Sequence, residues 1–107
     1  MKTLKFRPHL AKEIMEGRKT TTWRLFDDKV LQVGDQLTLQ NWETSEDFAK
    51  AEVTEVREKT LGELQDYDFD GHEKYNRQEE MLKHYKEYYG DKVNLDTIVK
   101  IIKFKLL

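Results

Sequence analysis

The spacing of apolar residues changes several times along the chain, and each change marks an element. Thr3 to Phe6 alternates briefly, as a short strand does. From Pro8 the period lengthens: Leu10, Ala11, Ile14 and Met15 recur at helical spacing, proline sits in a first turn that tolerates it, and Gly17 stops the helix. Residues 18 to 25, rich in Thr and Trp, suit an extended or irregular segment, and Asp27 and Asp28 then form a turn. Val33-Gly34-Asp35 reads as a tight turn feeding a half-buried strand over Gln36 to Trp42, with Leu37 and Leu39 alternating with polar neighbours. After a connection over Glu43 to Asp47, alternation resumes from Phe48. It turns Ala49, Ala51, Val53 and a shifted Val56 inward, so the two runs are expected to pair.

The second half is more helical, then more β-branched. Thr60 with Glu63 three residues on has the capping-box pattern of a short helix. Asn76 with Glu79 offers a second cap, opening a helix in which Met81, Leu82, Tyr85, Tyr88 and Tyr89 make one apolar face until Gly90. Thr97 to Leu106 is a β-branched strand expected to pair at both edges. There is no internal repeat, low-complexity segment or linker. The reading is one domain over residues 1–107, α+β, with a small and mostly antiparallel sheet.

Composition narrows the function classes. At 107 residues the chain can build one modest core. Nineteen basic and twenty-one acidic residues leave a formal charge of -2, which does not favour wrapping a polyanion, so any nucleic-acid contact must be local. The absence of cysteine excludes disulfides, zinc-thiolate sites and thiol nucleophiles. No stretch has the length of a signal peptide's apolar segment or of a membrane span, and a cytoplasmic protein without membrane contact is expected.

Two constellations can carry chemistry. The first is EGRKTTTWRL, residues 16–25, where Arg18, Lys19 and Arg24 surround three threonines. A hydroxyl becomes a useful nucleophile when a nearby base takes its proton, and a lysine serves when burial or another cation lowers its pKa. Lys19 with a threonine meets that need, and Arg24 and Arg18 can hold an anion. A solvated basic turn is the plain alternative. In a regular strand Lys19 shares a face with Thr21 and Trp23, whereas Thr22 shares the other with Arg24. A Lys19–Thr22 pair therefore predicts irregular backbone over residues 19 to 22.

The second constellation, Asp66, Asp68, Asp70, His72 and Glu73, is read as a solvated acidic loop, from which His72 or Glu73 can fold back as a proton donor. Its spacing fails the calcium-loop pattern because Gly71 is misplaced and the terminal glutamate is missing. No metal or other cofactor is expected. Trp23, Trp42, Phe69 and Tyr75 can stack a planar base, although such residues are more often core. The Met81/Tyr85/Tyr88 stripe reads as core, and His9 and His84 carry no assignment.

The combination Ile14-x-x-Gly17-x-Lys19-x-x-Thr22-x-Arg24, Val33-Gly34-Asp35, Glu73-x-Tyr75-x-x-x-Glu79-Glu80 and a terminal β-branched strand resembles the ASCH domains of the PUA-like superfamily. The resemblance covers essentially the whole chain and implies a small β-barrel with flanking helices and a cleft for RNA or a nucleoside. It also implies a similarity to the small amidohydrolases that deacetylate N4-acetylcytidine. Carried over by motif, Lys19 is the base, Thr22 the nucleophile and Glu73 the proton donor, while Arg24, Arg18, Trp23 and Tyr75 contact substrate. Other ASCH proteins are linked to RNA, so an RNA-binding module is the alternative. Where many members have Glu-Gly-Phe, this chain has Glu73-Lys74-Tyr75. The expected partner is a nucleoside or modified base, with RNA as the second possibility.

Overall fold

In the computed structural model, which describes residues 2–26, 30–65, 68 and 78–107, one long strand organises the sheet. The described elements run β1 (Lys2–Phe6), α1 (Pro8–Met15), β2 (Thr21–Leu25), β3 (Gln36–Asn41), β4 (Asp47–Thr60), a single 3-10 turn (Leu61–Glu63), α2 (Gln78–Tyr89) and β5 (Ile98–Leu106). The strands form one curled sheet in the order β1-β3-β4-β5-β2. β1 and β3 are parallel, and the other pairings are antiparallel. Residues 36–40 and 47–52 pair as the alternation predicts, and β5 is paired on both edges. β4 runs four residues beyond Val56, to Thr60.

The inward position of Val56 has a local cause. The β4–β5 register shifts between Val53 and Glu55, and a bulge there moves the period by one residue. Val56 then stands opposite Ile102 and packs on the same inner cluster as Ala51 and Val53. Leu4, Phe6, Ile14, Leu37, Leu39 and Phe104 complete most of that cluster. On the other face Trp23, Leu25, Val99 and Ile101 pack with Leu61, Met81 and Tyr85, so α2 covers the outside of the β2–β5 pair. Removing these side chains from water supplies the main driving force for both layers.

The Thr60–Glu63 capping box is formed, and the short helix it opens is a single 3-10 turn: the Thr60 amide donates to Glu63 Oε1 at 2.9 Å. Asp27, Asp28 and Asn76 lie outside the described residues. The two edge strands, β1 and β2, meet through a side chain rather than a ladder. Arg24 Nη2 donates to the Lys5 carbonyl at 2.9 Å, and the guanidinium lies 4.8 Å from the Phe6 ring centroid. The curled sheet is thereby drawn toward a barrel at the level of residues 5, 6 and 24.

Candidate functional site

The bend predicted before Thr22 begins at the end of α1. Gly17 adopts φ +81, a conformation that a β-carbon strains, and among the described residues beyond its two chain neighbours no atom lies within 4 Å of where that carbon would sit. Glycine is thus required for its torsion and not for space. The Gly17 amide returns to the Ile14 carbonyl (3.0 Å), and the Arg18 and Lys19 amides both return to Glu13 (2.9 and 3.2 Å). These bonds satisfy the last carbonyls of the helix and reverse the chain. β2 starts only at Thr21, although Thr20 already accepts from the Phe104 amide at 3.0 Å. Lys19 therefore stands outside the strand, where two-residue alternation does not apply to it.

The consequence is a shared cavity of about 340 Å³, inside the range usual for small-molecule sites. Lys19, Thr22, Trp23 and Arg24 line it together. β1 and the start of α1 contribute Lys5, Phe6, Arg7 and Leu10; Trp42 follows β3; α2 supplies His84, Tyr85, Tyr88 and Tyr89. Lys19 and Thr22 are each only 4% exposed. Lys19 Nζ donates to the Thr21 carbonyl at 2.9 Å, which ties the amine to the peptide unit leading into Thr22. Trp23 is buried and stacks on Tyr85, with ring centroids 6.2 Å apart and planes 17° from parallel, so it is wall and core at once.

The other expected residues are placed differently. Arg18 is exposed, is not among the cavity-lining residues, and is ion-paired with Glu13 (2.5 Å) and Glu16. Glu73, Tyr75 and Phe69 fall outside the described residues. Sequence reasoning gave no role to Arg7 or His84 and read Tyr88 as core. Met81 and Tyr85 are buried, but Tyr88 is 41% exposed at the cavity, with His84 packed 4.8 Å from its ring. Trp42 is 54% exposed there. Helical periodicity groups Tyr85 with Tyr88 because they are three residues apart, and does not show where the apolar face ends. Arg7 comes to the site through the β1–α1 junction, for which the sequence carries no spacing signal.

Within the acidic segment, Asp68 departs from expectation. Asp68 is not solvated: its side chain has 0% exposure. It accepts from Arg57 Nη1 at 2.6 Å, Lys59 Nζ at 2.9 Å and the Gln65 amide at 2.8 Å. The cause lies in β4, where Arg57 and Lys59 are two residues apart and so present two cations on one face. Burial alone would raise the Asp68 carboxyl, but the Gln65 amide and the two cations outweigh it and hold the group below the usual carboxylate range. Asp66, Asp70 and His72 fall outside the described residues. Among the described residues no three His, Cys, Asp or Glu side chains are grouped to hold a metal, and no helix is long and apolar enough to cross a membrane.

No family model matches the sequence, and no curated protein matches it. Solved structures do. An ASCH domain from Lactobacillus crispatus superposes with a TM-score of 0.74 at 14% identity, covering 98% of this chain and 79% of its own. A protein of the DUF984 family from Enterococcus faecalis superposes with a TM-score of 0.76 at 16% identity, covering 92% and 70%. ASCH from Zymomonas mobilis gives 0.68 at 12% identity, over 96% and 65%. At such identities the likeness concerns the fold. The chain thus has the ASCH-like fold that its motif resembles: α+β, with a curled, mostly antiparallel sheet of PUA-like half-barrel form and helices packed against it.

Proposed function

We propose that the cavity is the active site of a hydrolase acting on acylated nucleosides of the N4-acetylcytidine type. One observation supports this reading above the others: Lys19, Thr22 and Arg24 converge on one small cavity although strand alternation alone would separate Lys19 from Thr22. In this reading Lys19 Nζ accepts the Thr22 hydroxyl proton, and Thr22 Oγ attacks the amide carbonyl carbon. A buried amine favours the neutral form that this step needs. Arg24, held at the mouth by Lys5 and Phe6, faces the developing oxyanion. Glu73, through the resemblance, protonates the departing cytosine amine as the carbon–nitrogen bond breaks, and water then releases the acyl group from Thr22. The exposed rim residue Trp42 supplies a flat surface for the base, and the buried Trp23 backs the cavity wall.

The test is incubation with N4-acetylcytidine, following cytidine by chromatography for the wild type, Lys19→Ala, Thr22→Ala and Glu73→Gln. Turnover is expected for the wild type alone, with each variant reduced by about 100-fold or more. Absence of wild-type turnover, together with salt-dependent binding of labelled RNA, would replace the hydrolase with an RNA-binding module.

A further inference from the structure

Among the described residues, the charge lining the cavity is one-sided. The chain as a whole carries two more acids than bases, yet the described residues lining the cavity include Lys5, Arg7, Lys19 and Arg24 and no carboxylate. Arg7 is the most telling of the four. Lys19 and Arg24 donate to backbone carbonyls within the fold. Arg7 instead has its guanidinium 4.7 Å from the Trp42 ring centroid and 4.8 Å from that of Tyr88, and no carboxylate among the described residues pairs with it. Aromatic faces fix a guanidinium in place while leaving its in-plane N–H donors directed outward. An Arg held this way at a cavity mouth is preorganised for a bidentate anion such as phosphate.

We propose that Arg7, held by Trp42 and Tyr88, is a phosphate subsite, and that the substrate is an acylated nucleotide rather than a bare nucleoside. The inference rests on the nucleoside reading of the cavity and adds the anionic group to it. The base enters toward Lys19 and Thr22, and its 5′-phosphate stays at the rim against Arg7. Two sources supply that chemistry, a free mononucleotide and a phosphodiester-linked residue in a short RNA.

Binding separates the possibilities without relying on turnover. Calorimetric titration of the full chain with cytidine, cytidine 5′-monophosphate and a short cytidine-containing oligoribonucleotide is compared for the wild type, Arg7→Gln and Arg7→Lys. The phosphorylated ligand is expected to bind the wild type about tenfold more tightly than cytidine. That ratio should fall toward one in Arg7→Gln, recover in part in Arg7→Lys, and shrink with added salt. Tighter binding of the monophosphate than of the oligonucleotide assigns the free nucleotide, and the reverse order assigns the linked residue. Equal affinity for cytidine and its monophosphate, or a ratio that survives in Arg7→Gln, overturns the phosphate subsite and leaves the nucleoside reading standing. Failure of all three ligands to bind overturns both.

Discussion

Two charged regions of this small protein are built on opposite plans. Around Asp68 the signs are balanced: two carboxylates, the buried Asp68 and the neighbouring Glu55, meet two cations, Arg57 and Lys59, with the Gln65 amide also on Asp68. Around Lys19 they are segregated, because the described walls of the cavity bring cations together without an acid. A closed, neutralised cluster has little left with which to recognise anything else. An open cationic cavity keeps its field for a ligand. The overall charge of -2 averages over both plans and reports neither.

The largest expected effect tests the cavity. Lys19→Met and Thr22→Val are each expected to lower turnover of N4-acetylcytidine by about 1,000-fold. The double variant should be scarcely worse than either single one, because the two groups act as a unit. Additive losses would separate them. Next comes the Asp68 cluster: Asp68→Ala leaves Arg57 and Lys59 facing an empty place and should destabilise the fold by about 3 kcal/mol in urea unfolding. A loss below about 0.5 kcal/mol would make it equivalent to a surface pair.

The same cluster has a pH signature. The folded-state pKa of Asp68 is depressed, so the cluster's stabilisation is present above the unfolded aspartate value of about 3.9 and is lost as pH falls through the folded value. Acid titration of the wild type should show this loss below about pH 4, and it should be missing in Asp68→Asn. The smallest effect concerns the turn that brings Lys19 to the cavity. Gly17→Ala places a β-carbon at φ +81 in open space. It should cost about 1 kcal/mol from torsion alone, and thermal unfolding measures it.

What the sequence made legible follows from how local each feature is. The β3–β4 pairing and the bend after Gly17 were readable because their signals lie within a few residues, and Lys19, Thr22 and Arg24 were singled out by a motif that spans only six positions. The β4 bulge was readable as well, through the inward position of Val56. The balanced cluster was not. Asp68 looked like one acid among several, and only the approach of its segment to β4 brings Arg57 and Lys59 to it. Arg7, His84 and Tyr88 were hidden for a related reason. The cavity lies where β1, β2 and α2 meet, and no local pattern records that three distant segments face one another.

Whether the Lys19–Thr22 cavity breaks an acyl–cytosine amide bond, as proposed, shows in the cytidine released from N4-acetylcytidine by wild-type protein beside Lys19→Met. Sustained, enzyme-proportional release by the wild type and a loss of about 1,000-fold in the variant are expected. No release by the wild type, or equal release by a folded Lys19→Met protein, would contradict the claim.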